Sequence, residues 1–143
     1  EGGAEGGADA EGAALPVEVV ISTLPAAAEF ELPAWLLRPG GSGPGPSSVP
    51  AVPAVLDAVY KPPLTSLVRQ AREAGFPVVP GATMLVEQGV EQSQLWTGRT
   101  APKRLMLKAV LRNVLAGYEA EAAEAAEVEA FFRSLPDWAT AFE

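Results

Sequence analysis

The chain has 143 residues, of which 48% are hydrophobic, so its length and composition fit one modest globular domain. It contains no cysteine and no histidine, which excludes a disulfide framework, cysteine-ligated zinc and the side chain that most often acts as a general base near neutral pH. No apolar run reaches the roughly 18 residues of a transmembrane helix, so we expect no membrane span, and the residue types favour no metal site.

Charge is unevenly distributed along the chain. The net charge is −8, yet residues 60–113 hold eight lysine and arginine residues against three glutamates, a local net of +5. The simplest interpretation is a solvated helix surface. The alternative is a positive field that favours an anionic ligand, such as a carboxylate or dinucleotide phosphates. Because the cations are not interleaved with aromatic residues, we expect no nucleic-acid binding.

The amino-terminal third contains only one convincing regular element. Residues 1–14 are acidic, Gly- and Ala-rich low-complexity sequence, which has too little to bury to fold by itself. The β-branched run Val17 to Ser22 predicts a buried strand that Pro25 ends. Residues 26–37 form a weak helix candidate with a proline inside it, and residues 39–53 are a Pro/Gly/Ser insertion loop.

The middle of the chain alternates strand and helix. The predicted elements are a strand at 54–59, a helix capped by Thr65 or Ser66 and stopped by Gly75, and a strand at 76–79. Helices then follow over 81–98, from about 100 to Gly117, and over 119–135. Such alternation predicts right-handed crossovers and a parallel sheet, so the fold class is α/β, with about three strands, flanking helices and a helical C-terminus.

The helix from Gly81 to Gly98 has both ends marked and one unusual feature. Thr83 is the predicted N-cap, and Gly98 stands where a helix would stop. At 100° per residue an apolar arc forms from Met84, Leu85, Val86, Val90, Leu95 and Trp96. Gln88 and Gln92 fall inside this arc. A buried amide without a partner costs about 1–3 kcal/mol, so we expect both to be paired, either with a polar ligand or with backbone groups, and we favour backbone groups for Gln92.

Three segments follow predicted strands and would meet at one edge of the sheet, where open parallel sheets bind ligands. They are residues 22–25, 60–62 and 80–81. Gly81 permits close backbone approach. Met84, one turn later, offers a soft apolar surface, and Gln88, one turn further, can donate to and accept from a hydroxyl group. This spacing predicts a helix that forms one wall of a ligand crevice.

The same residues resemble a known family. The run GATMLVEQGVEQSQLWTG, preceded by LDAVYKP at residues 56–62 and VVISTLP at residues 19–25, resembles the C-terminal half of shikimate dehydrogenases and is most similar to the dehydrogenase domain of fungal pentafunctional AROM proteins. The resemblance implies that residues 15–117 are the distal half of an NADP-binding, partial Rossmann-like domain. Residues 118–143, an acidic Ala/Glu helical tail, lie outside it.

The resemblance implies contacts to substrate and cofactor. Tyr60 and Gln88 would contact shikimate or 3-dehydroshikimate. Ala58 and Gly81 would contact the nicotinamide part of NADP through backbone atoms, and Met84 would lie against its ring. Thr23 matches the cofactor-side turn, although the family more often has Asn-Ala-Thr or Asn-Thr-Thr there, which puts side-chain contacts at residues 22–24 in doubt.

No catalytic residue is expected within this chain. The family places its catalytic Lys and Asp in an N-terminal substrate domain that has no counterpart here, and no Gly-x-Gly-x-x-Gly phosphate loop is found. The implied partner is therefore the missing N-terminal part of the same polypeptide. The implied function is the NADP-dependent, reversible reduction of 3-dehydroshikimate to shikimate in the cytoplasm, with the isolated chain inactive. The alternatives are a quinate dehydrogenase, a quinate- or shikimate-sensing repressor domain without activity, and a degenerate gene fragment.

Overall fold

The computed structural model describes residues 17–37, 52–118 and 122–142. The predicted low-complexity segment 1–14 and residues 39–51 of the predicted insertion lie outside these ranges. Within them the chain is α/β: the first half holds three strands, with an α-helix after the second and after the third, and the second half holds two further α-helices. The predicted fold class is therefore confirmed.

A small parallel sheet lies at the centre of the fold. Its strands are β1 (Val19–Ser22), β2 (Ala54–Asp57) and β3 (Val78–Pro80), hydrogen-bonded in that order. Ser22 pairs with Asp57, and Asp57 with Pro80, so all three strands end at the same level. Each boundary lies within two residues of its prediction. This common end is what brings the three loops predicted to form a crevice to one edge.

The two faces of this sheet differ in how well they are covered. On one face Val55 is fully buried against the helix that follows β2, together with Leu67 and Ala71 of that helix. On the other face Ile21 is 65% exposed, and its neighbours Val19 and Val79 are exposed as well. Parallel sheets normally have both faces covered. Among the described residues, only one layer of the expected cover is present.

The helices follow the predicted order and most of the predicted caps. They are α1 (Ser66–Glu73), α2 (Gly81–Thr97), α3 (Lys103–Leu115) and α4 (Ala122–Ser134). Thr65 caps α1 by accepting a hydrogen bond from the Val68 amide at 3.2 Å. Gly75 and Gly98 follow α1 and α2 with φ of +75° and +65°, a backbone region that glycine enters without strain.

Three boundaries differ from prediction. Helix α2 begins at Gly81, and its N-cap position is Pro80, so Thr83 does not cap it. Residues 26–37 form no α-helix: a single 3₁₀ turn, Ala26–Ala28, is followed by Glu29 with φ of +44°. The α3 helix ends at Leu115 and continues as a 3₁₀ turn through residue 118, so Gly117 lies within that turn.

The predicted apolar arc of α2 is wrong at its far end. Val86 is buried, but Leu95 is 82% exposed and Trp96 is 76% exposed. Gln88 and Gln92 are also exposed, and within the described part of the chain neither side chain has a hydrogen-bond partner. Their amides therefore carry no burial cost, and the expected pairing of Gln92 with backbone groups is not present.

The main hydrophobic core lies between α1, α2, α3 and the C-terminal region. In α4, Phe131 and Phe132 are buried, and a following 3₁₀ helix, Trp138–Ala141, places Trp138 against Phe132 with ring centroids 4.4 Å apart. The predicted helical C-terminus is thus present. It packs into the same core as α2 and α3 rather than standing apart, while the predicted boundary at residues 117/118 stays a prediction.

Candidate functional site

A crevice of about 330 Å³ opens at the carboxyl ends of β1 and β2. Its lining residues are Thr23, Leu24, Ala58, Val59, Tyr60 and Lys61. Ligands of open parallel sheets bind outside the carboxyl ends of the strands, so the crevice occupies the position where a ligand is expected. Its polar lining residues are Thr23, Tyr60 and Lys61, and its other lining residues are apolar.

Gly81 brings the start of α2 into close contact with the loop after β2. A Cβ atom at this position would lie 2.5 Å from the carbonyl oxygens of both Ala58 and Val59. No side chain fits at that distance, so only glycine lets the helix begin here. Gly81 therefore determines how closely the first turn of α2 approaches the backbone that lines the crevice.

The structure brings some of the predicted site residues together. Thr23, Ala58 and Tyr60 line the crevice, and Gly81 adjoins it through Ala58. Met84 is half-buried and Gln88 is exposed, and neither lines the crevice. The contacts of all six residues with substrate or cofactor remain predictions.

A buried carboxylate supports the crevice loop. Asp57, at the end of β2, is 2% exposed. Its Oδ2 accepts a hydrogen bond from the Thr65 hydroxyl at 2.5 Å, and its Oδ1 accepts one from the Val59 amide at 3.2 Å. Thr65 also caps α1. Asp57 therefore connects the end of the sheet to both ends of the loop that carries Tyr60. Asp57 was not singled out from the sequence, although it is the only charged residue in the apolar run 54–59.

The C-terminal region holds the amino-terminal half of α2. The buried indole of Trp138 donates a hydrogen bond from Nε1 to the Thr83 hydroxyl at 3.0 Å. The Lys103 ammonium lies 2.7 Å from Glu87 and 2.9 Å from Asp137. The hydrogen bond to Glu87, followed by that to Asp137, raises the pKa of Lys103 above its ordinary value of 10.5. Sequence patterns do not reveal these contacts, because their partners lie up to 55 residues apart.

The described residues offer neither a metal site nor a membrane span. Within ranges 17–37, 52–118 and 122–142, no three acidic side chains converge closely enough to hold a metal ion. None of the helices described there has the length and apolar content needed to cross a membrane.

Known proteins similar to this chain include shikimate dehydrogenases and AROM polypeptides. Residues 81–111 match the family described as Shikimate 5'-dehydrogenase C-terminal domain. The pentafunctional AROM polypeptide of Eremothecium gossypii is 39% identical over 94 residues, which are 61% of this chain and 6% of that polypeptide. The NADP(+) shikimate dehydrogenase of Halorubrum lacusprofundi is 52% identical over 62 residues, 43% of this chain and 22% of that protein. Among solved structures, Mycobacterium tuberculosis shikimate dehydrogenase is 32% identical, with a TM-score of 0.46, over 66% of this chain and 31% of that one.

The matched relatives are much longer than the matched region. The chain spans between 4% and 22% of the length of the first AROM polypeptides and shikimate dehydrogenases that it matches. The family match begins at Gly81, the first residue of α2, and α2 carries one of the motifs that resemble this family. The predicted resemblance is confirmed: residues 81–111 match the C-terminal domain of shikimate dehydrogenases, and the relatives of this chain are shikimate dehydrogenases and AROM polypeptides.

Proposed function

We propose that this chain is the C-terminal portion of an NADP-dependent shikimate dehydrogenase that reversibly reduces 3-dehydroshikimate to shikimate in the cytoplasm. The observation that carries the proposal is the crevice at the strand ends. Because residue 81 is a glycine, the start of α2 comes into close contact with the backbone that lines this crevice. A relative from Natronomonas pharaonis, 51% identical over 57 residues, is named as an NADP(+) shikimate dehydrogenase. The proposal transfers that activity to the parent of this chain.

The residues present fit one end of the cofactor. Gly81 packs against two backbone carbonyl oxygens and has no side chain, so a flat ring could approach the backbone there. Ala58 and Gly81 would contact the nicotinamide through backbone atoms only. Met84 would contact the ring, and Thr23 would lie in the turn on the cofactor side. The cofactor supplies the hydride, and this chain holds and orients the ring. The diphosphate requires a glycine-rich strand-to-helix turn, which the sequence lacks.

Substrate contacts are assigned to Tyr60 and Gln88. The Tyr60 ring lines the crevice, and its hydroxyl can bond to a substrate carboxylate or hydroxyl group. Gln88 lies exposed one helical turn beyond Met84, so it would meet the substrate only when the remainder of the site is in place. For this reason we propose that the 143-residue chain alone has no dehydrogenase activity.

Steady-state kinetics of the parent polypeptide test the assignment. In Gln88→Ala we expect the KM for shikimate to rise about tenfold or more, since a lost hydrogen bond to a polar ligand costs about 1.5 kcal/mol, with little change in the KM for NADP. Gln92→Ala, one turn further along α2, is the matched control and should leave both constants unchanged. An equal loss for both ligands, or no loss, would remove Gln88 from the substrate site.

Two further assays separate the proposal from its alternatives. The purified 143-residue chain should show no NADP-dependent oxidation of shikimate, and robust turnover would refute the view that the other part of the site is required. The parent should oxidise shikimate in preference to quinate. A preference for quinate would reassign the substrate, and binding of either acid without turnover would identify a sensor.

A further inference from the structure

Half of the eight positive side chains of residues 60–113 contact a group in the C-terminal region or on α2. Arg69 forms an ion pair with Glu127, the Arg72 guanidinium lies 4.7 Å above the Phe131 ring centroid, and Arg104 donates to the Thr140 carbonyl oxygen. Lys103 is held by two carboxylates, as described above. The C-terminal region therefore neutralises or packs against much of the local positive surplus.

Lys108 and Arg112 on α3 are different. Across the described part of the chain, neither side chain has a hydrogen-bond, ion-pair or ring partner. They are four residues apart on one helix, so their side chains project from the same face. Both line a single cleft between α3, α4 and the C-terminal 3₁₀ helix, with a volume of about 600 Å³.

Positive charge prevails around this cleft. Among the described residues that line it, Arg133 of α4 is the third cation and Glu129 is the one acidic residue. A carboxylate oxygen of Glu129 lies 3.9 Å from the Arg133 guanidinium, at the outer limit of an ion pair, and the Glu129 side chain is 44% exposed. Over the described lining residues, three cations against one carboxylate give a net charge of +2 and a field that attracts anions.

The floor of the cleft is apolar. Leu111 is buried and Leu115 half-buried, and both face the cleft beside the ring of Phe142. The Arg133 guanidinium lies 3.8 Å from the centroid of that ring, which orders both groups. A volume of about 600 Å³ falls within the range of small-molecule sites, which combine an apolar lining with a few placed polar groups.

We propose that this cleft binds a small organic anion built on a flat apolar ring, such as an aromatic carboxylate. The ring of this ligand packs on Leu111, Leu115 and Phe142. Its carboxylate forms ion pairs with the ammonium of Lys108 and the guanidinium of Arg112. The site shares no lining residue with the strand-end crevice, so it does not depend on the function proposed for that crevice.

The test uses the whole 143-residue chain and 1-naphthoate as the probe, titrated by isothermal calorimetry. We expect saturable binding that weakens at least about tenfold in the double variant Lys108→Gln/Arg112→Gln, because each charged contact is worth about 1 kcal/mol or more. The matched control is Arg69→Gln/Arg99→Gln, which removes two other solvent-accessible cations that line neither the cleft nor the crevice and has the same net charge. It should bind like the wild type. The neutral analogue 1-naphthylmethanol should bind at least about tenfold more weakly than 1-naphthoate.

Chemical shifts locate the bound probe independently of any variant. In amide NMR spectra 1-naphthoate should shift the resonances of Leu111, Leu115 and Phe142 and leave those of Thr23 and Tyr60 in place. Three results would overturn the proposal: no saturable binding at about 1 mM probe, equal losses in the two double variants, or shifts confined to the crevice residues. Equal binding of the neutral analogue would show that the cations do not select the ligand and would overturn it too.

Discussion

The two halves of α2 have opposite surroundings. In the amino-terminal half Gly81, Ala82 and Val86 are buried, and Thr83 and Glu87 are each bonded to another element. The carboxyl-terminal half ends in two large side chains exposed to solvent, Leu95 and Trp96. One continuous helix therefore has an anchored half, which adjoins the crevice, and a projecting half with an apolar end.

This difference parallels the one between the two faces of the sheet. Val55 faces a packed layer, whereas Ile21 and Val79 face solvent. Exposed apolar groups arranged on a regular surface usually mark an interface. The projecting end of α2 and the bare face of the sheet agree with the proposal that the remainder of a longer polypeptide completes the site.

Gly81→Ala should have the largest effect on the anchored half. The new Cβ would lie 2.5 Å from two backbone oxygens that cannot rotate away, so the helix start must move, and we expect a loss of about 3 kcal/mol in the free energy of unfolding. Urea denaturation followed by circular dichroism measures it.

Gly89→Ala, in the same helix, is the matched control for Gly81→Ala. Its Cβ would meet only the flexible end of Met106 at 2.9 Å, and alanine gains up to about 1 kcal/mol over glycine inside a helix. Gly89→Ala should therefore leave stability unchanged or raise it. Equal stability of the two variants would show that the contact at Gly81 does not anchor α2.

Trp138→Phe should have the next largest effect. It keeps an aromatic ring in the core but removes the hydrogen bond to Thr83 and part of the packed volume, for an expected cost of about 1–2 kcal/mol. Trp96→Phe makes the same change on the exposed end of α2 and should shift stability by less than about 0.5 kcal/mol. Thermal unfolding of both variants makes the comparison.

A double-mutant cycle assigns the Trp138 effect to the hydrogen bond. With Thr83→Val as the second change, the coupling energy between the two positions should be about 1 kcal/mol. A coupling near zero would mean that Trp138 acts through packing alone, and the C-terminal 3₁₀ helix would then have no specific hold on the first turn of α2.

The features that sequence predicted correctly depend on neighbours in the chain. Thr65 caps α1 through an amide three residues away, and Gly75 and Gly98 end helices because the local backbone turns left-handed there. The parallel order of the strands follows from the alternation of elements and the handedness of their connections. These rules require no knowledge of distant residues.

The features that sequence missed depend on distant contacts. Helical periodicity grouped Leu95 and Trp96 with Val86, but only Val86 is buried, because periodicity cannot show which half of a helix extends past the rest of the fold. Likewise Thr83 looks like an N-cap, while the contact of Gly81 with Ala58 and Val59 lets the helix start three residues earlier, with Pro80 at the N-cap. The partner of Thr83 is instead Trp138, in a segment whose role the sequence left open.

Lys103 should contribute the smallest effect, and its contribution should depend on pH. Its ammonium pairs with Glu87 and Asp137, and these partly exposed pairs together contribute about 0.5–1 kcal/mol. Because the folded-state pKa is raised above 10.5, this stability is fully present below about pH 10 and is lost as pH rises through the folded-state pKa. Lys103→Met should therefore be less stable than wild type at pH 8, with a difference that disappears in the alkaline range. Lys103→Arg keeps its charge at high pH, so it should match the wild type at pH 8 and exceed it once Lys103 loses its proton. Urea titrations of the three proteins across this pH range measure the differences in the free energy of unfolding. A difference between wild type and Lys103→Met that does not change with pH would show that packing of the lysine stem, rather than its charge, holds α3 to the anchored half of α2.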